Sequence, residues 1–421
     1  MLTTLKNAFK IKDLRRKILY TLAMLVVIRI GSQLPIPGIN TGYFKAWFNQ
    51  QAGGAFSFFN AVTGGSFENM SILALNISPY ITSSIIMQLL TIAIPKLEEI
   101  QKDGEAGRKK IQQYTRVVTM VLALIQSFGI SYGLRSGFTS DLGVAWSIIV
   151  SMAVFTAGSM FVMWIGENIT EKGIGNGISL IIMVNVLSRV PAAIGSLVGY
   201  ENIVLVIAIA VVLVLAVAFI VLLELAERRI PIQYAKRMQG RKTYGGASTY
   251  IPIKVNMAGV LPIIFAVSIT SLPGIITSFV TTTPTGWWAT VLEWLNTSHP
   301  FGACLYVVLI IFFTYFYASI NYNPKQIAEN LKKNGGVNPG LRPGAPTYEY
   351  IKKTANNVVS IGAVMLAVVA TTPIILSFIF GIDSLSIGGS SLMICVGVAL
   401  ETVKQIEGQM VMRHYKGFLS K

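Results

Sequence analysis

The sequence is poor in charge and in the residue types that most enzymes use for catalysis or metal binding. Only 12% of its 421 residues are charged, about half the proportion usual in soluble domains. It has two cysteines, Cys304 and Cys395, which are far apart in sequence, and two histidines, His299 and His414, which have no neighbouring ligand pattern. P-loop, HExxH and GxSxG patterns are missing from it. These absences exclude a soluble enzyme, a disulfide-rich scaffold and a histidine-based metal site, and we predict no enzymatic activity and no cofactor.

Long apolar runs take the place of charge. Hydrophobic residues make up 53% of the chain, and the run at 203–223 is long enough to cross a bilayer without interruption. We predict ten spans, at residues 18–34, 71–94, 116–134, 145–166, 174–190, 203–225, 256–280, 303–322, 355–380 and 388–408. The sequence therefore predicts an all-α polytopic membrane protein.

The basic residues predict the orientation of these spans. Of the 34 lysines and arginines, all but four fall on the side that holds both termini, and the exceptions are Arg29, Lys45, Arg135 and Arg189. Short basic loops stay in the cytoplasm, so both termini are predicted to be cytoplasmic. The loops at 227–254 and 324–353 also mix cations with Tyr, Gly and Pro, and they exceed the usual connection length. They predict a docking surface for a large cytosolic partner.

Glycine and proline interrupt four spans in a pattern that repeats five spans later. Pro79 lies in span two, and Gly259 and Pro262 lie in span seven. Spans five and ten both open on glycine-rich segments, KGIGNGIS and SIGGSS. Because the offset of five spans is odd, the second copy has the opposite orientation in the membrane. The pattern therefore predicts two inverted halves, residues 1–200 and 201–421. Interrupted helices in matching positions indicate a transport pathway between the halves.

The segment at 53–70 is too short to span and carries four phenylalanines but almost no charge. This composition predicts a re-entrant segment beside a cavity, with an interfacial aromatic loop as the alternative. Ile77 and Ile81, like Ile178 and Ile182, lie four residues apart beside the breaks. They form either ordinary packing or a hydrophobic constriction.

Six motifs, in order along the chain, resemble the SecY family, the large subunit of the bacterial protein-translocation channel. They are GEAGRKKIQQYTR (104–116), MWIGENITEKGIGNGISLII (163–182), YAKRMQGR (234–241), IKVNMAGVLPIIF (253–265), NPKQIAENLKKNGG (323–336) and PGLRPG (339–344). The resemblance covers about residues 12 to 415. It implies ten transmembrane helices in two inverted, pseudo-symmetric five-helix halves around an hourglass pore in the bacterial cytoplasmic membrane.

The resemblance also implies the sites through which such a channel works. It implies a pore ring at Ile77, Ile81, Ile178, Ile182, Ile264 and Ile394, and a plug at about 56–70 that includes Phe56, Phe59, Gly64, Gly65 and Phe67. The Gly64–Gly65 pair is a candidate hinge because glycine relaxes backbone limits. Glu68 and Asn69 depart most from the family pattern, so individual plug contacts stay open. Gln88 and Asn256 are the implied lateral-gate residues.

Implied partners follow from the same resemblance. Arg237, Arg241, Lys242 and Arg342 would dock the ribosome or the motor ATPase SecA, and small SecE and SecG subunits would accompany the chain. Unfolded secretory polypeptides would cross the membrane, and their apolar signal sequences would leave sideways into the lipid bilayer. An ion-coupled secondary transporter of a small solute is the alternative, because inverted repeats also serve such carriers.

Overall fold

The computed structural model describes residues 8–51, 60, 63–133, 135–138, 143–191, 195, 203–234, 237–239, 242–244, 248–280, 286–295, 299–380 and 388–419. In the first half these residues form seven helices and one short 3-10 turn at Arg135–Gly137. The helices are α1 (Lys12–Gly31), α2 (Thr41–Gln51), α3 (Ser78–Ala93), α4 (Pro95–Lys102), α5 (Glu105–Gly133), α6 (Val144–Lys172) and α7 (Gly177–Leu187).

The second half adds seven helices and five short strands within its described residues. The helices are α8 (Ile203–Leu225), α9 (Leu261–Val280), α10 (Trp287–Leu295), α11 (Pro300–Asn321), α12 (Pro324–Lys333), α13 (Ala345–Phe380) and α14 (Gly388–Leu419). The strands are β1 (Glu227–Tyr234), β2 (Arg237–Gln239), β3 (Lys242–Tyr244), β4 (Ser248–Lys254) and β5 (Gly336–Val337).

Each of the ten predicted spans contains a helix, and these helices differ greatly in length. By length and composition, five helical segments of the described chain could cross a membrane, those of α5, α6, α8, α11 and α13. The count rises to six if α3 and α4 are taken as one bent span. At 11 residues, α7 is short for a span. The expectation of an all-α polytopic membrane protein is confirmed.

Proline and asparagine explain where the interrupted helices begin. Pro79 occupies the first turn of α3, where backbone N–H groups have no partner within the helix, so the N–H that proline lacks is not missed. The side chain of Asn176 accepts hydrogen bonds from the backbone N–H groups of Ile178 and Ser179, which caps α7. Pro95 follows an extended residue, Ile94, and the chain bends by 102° between α3 and α4.

The basic segment that connects the second and third predicted spans, residues 95–115, is largely helical. It consists of α4, a turn at Gly104 and the first turns of α5, which begins at Glu105 rather than near residue 116. Glu, Lys, Gln and Arg fill this stretch and are good helix formers. Its cations therefore lie on two helices rather than on an irregular loop.

A large buried cluster of apolar side chains joins the two halves. It contains residues of α1, α3, α6 and α7 from the first half and of α8, α9, α11, α13 and α14 from the second. Other large apolar side chains face outward, and those of Val214 and Leu222 on α8 are 68% and 67% exposed. Outward apolar faces of this extent fit a lipid surround.

The two long basic loops form one small sheet, which the sequence analysis did not predict. Strand β1 pairs with β4 in an antiparallel hairpin and with β5 on its other edge, giving the order β4-β1-β5. Ile230 and Ile232 alternate with exposed neighbours and pack on Leu331 of α12 and Ile351 of α13. We call this sheet, together with β2, β3 and α12, the platform.

Candidate pore, plug and gate

The six isoleucines of the implied pore ring meet in the central cluster. Five are buried members of it, and Ile178 is half-buried and packs against it. Ile77 precedes α3 directly, Ile81 lies on α3, and the other four lie on α7, α9 and α14. The breaks identified in the sequence let four helices begin near one another, and this brings together side chains more than 300 residues apart, from Ile77 to Ile394.

A polar cavity of about 440 Å³ lies beside this cluster. It is lined by Glu224, Asn256, Glu401 and Lys404, among others. Asn256 donates from Nδ2 to Glu224 Oε1 at 2.6 Å, and the ammonium of Lys404 donates to the Glu224 carbonyl at 3.2 Å. Glu224 lies near the end of α8, so this charge belongs to the end of a helix rather than to its centre.

The two implied gate residues have separate partners. Asn256 is buried and bonds to Glu224 of its own half. Gln88 on α3 accepts a hydrogen bond from the hydroxyl of Tyr317 on α11, which connects the two halves. The Tyr317 ring packs against Phe265 on α9, with centroids 5.1 Å apart.

Tyr317 was missed by the sequence analysis. It is 4% exposed and lies within the apolar helix α11. A buried tyrosine hydroxyl normally finds a hydrogen-bond partner, and that is the signal that could have identified it. Helix α9 also packs against α3 and α5, and the Tyr317–Gln88 bond links α11 to α3, so spans two and three adjoin span seven and span two contacts span eight.

The implied plug is described from residue 63 onward, together with Asn60, so Phe56 and Phe59 lie outside the described residues. Gly64 and Gly65 have φ angles of +67° and +83°, in the left-handed region that favours glycine. Phe67 is 4% exposed and packs in a second apolar cluster with Met70 and Phe155.

Charged side chains from outside the plug contact it at two points. Arg29 of α1 donates from Nη1 to the Gly64 carbonyl at 3.3 Å. Arg189, just beyond α7, pairs with Glu68 at 3.3 Å. The sequence analysis had marked Arg29 and Arg189 only as exceptions to the charge bias, and Glu68 only as a departure from the family pattern.

Two of the four implied docking residues belong to the platform. The backbones of Arg237 and Lys242 lie in β2 and β3, which pair with each other, and Arg241 lies outside the described residues. Arg342 is exposed in the turn between β5 and α13, where its carbonyl accepts a hydrogen bond of 2.8 Å from the Thr347 hydroxyl.

Comparison with known proteins assigns the family. The SecY family model matches residues 71–403. The protein translocase subunit SecY of Halalkalibacterium halodurans is 43% identical over 435 aligned residues, covering all of both chains. Among solved structures, a SecY protein whose plug domain stabilises the closed state has a TM-score of 0.66 at 18% identity, over 94% of this chain and 92% of that one. Sec61 in a canine ribosome–channel complex has a TM-score of 0.62 at 17% identity, with the same coverage. The chain belongs to the SecY family.

Proposed function

We propose that this chain is the channel-forming subunit of a protein translocase. Unfolded secretory polypeptides would cross between its two halves, residues 1–200 and 201–421, through the ring of six isoleucines. Apolar segments would leave sideways into lipid through the seam where α3 and α5 adjoin α9 and α11. The observation that carries the proposal is the meeting of the six isoleucines in one buried cluster supplied by both halves.

An aliphatic ring suits a path that must accept many sequences. Isoleucine side chains present no hydrogen-bond donor, acceptor or charge, so they bind no particular residue of a passing chain. A closed apolar constriction also blocks ions by excluding water. Such a ring can therefore both pass a polypeptide and close behind it.

The platform supports a docking role on the cytoplasmic face. The docking residues would contact the ribosome or SecA, and they are Arg237, Arg241, Lys242 and Arg342. Transport would be driven by the ATPase activity of SecA, by chain elongation or by the proton-motive force. The solved relative Sec61 comes from a ribosome–channel complex. We further propose that SecE and SecG accompany the chain in the bacterial cytoplasmic membrane, with both termini in the cytoplasm.

The alternative, an ion-coupled carrier of a small solute, has less support. Such carriers place ionisable groups near the middle of the membrane. The charged groups of the polar cavity include Glu224, near the end of α8, and Lys404, which bonds to the Glu224 carbonyl. Solute uptake driven by an ion gradient in vesicles would support the carrier against the channel.

Crosslinking to a stalled translocation intermediate tests the channel directly. Single cysteines replace Ile81, Ile182 or Ile264 in a background without Cys304 and Cys395, and a secretory precursor carries a cysteine probe. We expect crosslinks at all three positions that depend on SecA and ATP.

Neighbouring isoleucines provide matched controls. Ile181 and Ile263 are both 0% exposed and adjoin Ile182 and Ile264, but they lie on other faces of their helices. Cysteines there should give few crosslinks. Equal labelling at ring and control positions, or none at the ring in an active intermediate, would show that the isoleucines are ordinary packing.

A further inference from the structure

Four basic residues lie away from the side that carries the other lysines and arginines. Positive charge is normally concentrated in cytoplasmic loops, so each exception calls for a local explanation. Arg135 lies over the ring of Tyr132, with its guanidinium carbon 4.9 Å from the ring centroid. Arg29 and Arg189, from opposite ends of the first half, both contact the plug.

The two glycines of the plug make room for these two arginines. A Cβ atom on Gly64 would lie 2.6 Å from Arg29 Nη1 and 3.0 Å from the backbone of Asn185. A Cβ atom on Gly65 would lie 3.4 Å from Arg189 Nη1. The positive φ angles and the close approach together mean that these positions fit glycine, and that the plug backbone is seated between α1 and α7.

Glu68 completes the arrangement because it bonds both to Asn60 within the plug and to Arg189 outside it. Its Oε2 atom accepts from Asn60 Nδ2 at 2.9 Å and from Arg189 Nη1 at 3.3 Å. Its backbone N–H donates to Asn60 Oδ1, and the N–H of Gly65 donates to the Asn60 carbonyl. The carboxylate therefore ties Asn60 to the segment that holds Gly65 and Glu68, and fixes this part of the plug to the end of α7.

The environment of this ion pair makes it stronger than a typical surface pair. The side chains of Arg189 and Glu68 are 28% and 27% exposed, so water only partly screens their charges. Exposed pairs contribute little because solvent and salt weaken them. Hydrogen bonds that involve charged groups are the stronger class.

We propose that Arg189, Glu68 and Arg29 form a charge latch that positions the closed plug in this chain. The latch rests on the proposed channel function and adds the residues that would set its resting state. All of its members belong to residues 1–200, so the second half can move away from the first without breaking it. Release of the plug then requires a separate event, the parting of Glu68 from Arg189.

Resting ion flux tests the latch in the full chain, assembled with its small membrane partners and reconstituted into liposomes. Glu68→Arg and Arg189→Glu each replace the attraction with repulsion, and each should raise resting flux about tenfold. The double variant restores an ion pair with reversed polarity and should return flux toward that of the unmodified chain. Arg135→Glu makes the same change of charge at a residue that stacks on Tyr132, and should leave flux unchanged.

A milder variant and a salt series keep the test valid if charge reversal impairs assembly. Glu68→Gln keeps the side-chain shape and should raise flux about threefold. Raising the salt from about 0.1 M to 1 M shortens the screening length, and should raise the flux per unit ion concentration in the unmodified chain but hardly at all in Glu68→Gln. Single variants with unchanged flux, or a double variant no better than the singles, would overturn the latch.

Deletion of residues 56–67 separates failure of the latch from failure of the channel. The deletion removes the plug and should open the pore whatever holds the plug in place. If the deletion conducts while all latch variants behave as the unmodified chain, the latch is wrong and the channel stands. If the deletion does not conduct either, and the ring cysteines give no crosslinks to a stalled precursor, the proposed function itself fails.

Discussion

The isoleucine cluster and the plug close the same proposed path by opposite means. The cluster joins six aliphatic side chains from both halves, and its cohesion comes from non-directional apolar burial. In the described part of the plug, the apolar packing of Phe67 is joined by directional contacts from the first half, a 3.3 Å ion pair and a 3.3 Å hydrogen bond. Non-directional apolar packing suits a seal that must fit any passing chain. A seal that must return to one place gains from specific partners.

A charge placed in the isoleucine cluster should have the largest effect. Ile182 is 1% exposed, so Ile182→Asp buries an unpaired carboxylate and should cost about 3–5 kcal/mol of stability. The midpoint of thermal unfolding in detergent measures the loss. Ile182→Leu is the control, since it keeps the volume and should cost less than about 1.5 kcal/mol. Equal midpoints for Asp and Leu would mean that water already reaches this position in the closed state.

A side chain at Gly64 should have an intermediate effect on stability, with one cost from the backbone conformation and another from steric contact. Gly64→Ala should cost about 1–2 kcal/mol for the left-handed backbone, plus the strain of a Cβ only 3.0 Å from the Asn185 backbone. Gly104 has a φ of +74° and open space around it, so Gly104→Ala should carry only the cost of the left-handed backbone. Thermal unfolding of both variants gives the difference. Equal losses would show that the plug shifts to accept the methyl group.

The hydroxyl of Tyr317 should contribute least to stability, because it makes a single polar contact at the edge of an apolar cluster. Removing its bond to Gln88 should cost about 0.6–2 kcal/mol. A double-mutant cycle of Tyr317→Phe with Gln88→Ala measures the coupling between the halves. Tyr315→Phe is the matched control, since its hydroxyl bonds to Ser360 at 2.6 Å within the second half. Additive effects of Tyr317 and Gln88 would contradict a bond across the seam.

The parts of the fold that could be predicted depend on local signals. Apolar runs, prolines and glycines act over a few residues, so the helices and the breaks near Pro79 and Asn176 follow from the sequence. The start of α5 at Glu105 was harder, because charged residues that favour helix obscure the boundary. Family membership, implied by the motifs, is confirmed by the comparisons.

The contacts that escaped prediction join distant segments. Glu68 and Arg189 are 121 residues apart, and Gln88 and Tyr317 are 229 apart. The pairing of β1 with β5 likewise depends on the folding of everything between them. No periodicity in a single sequence encodes such partners. The roles of the ring, plug, gate and docking residues stay predictions, although the structure gives each described residue a position.

The pairing of β1 with β5 has a mechanical consequence. The platform joins α8 at Ala226 and leads through a short connection from Lys254 into α9, which carries Ile264. Its third strand is followed by a turn and then by α13. Because β4, β1 and β5 are hydrogen-bonded to one another, these three strands of the two basic loops would share a load. A force applied to this sheet would therefore act on the adjoining ends of three helices together, α8, α9 and α13.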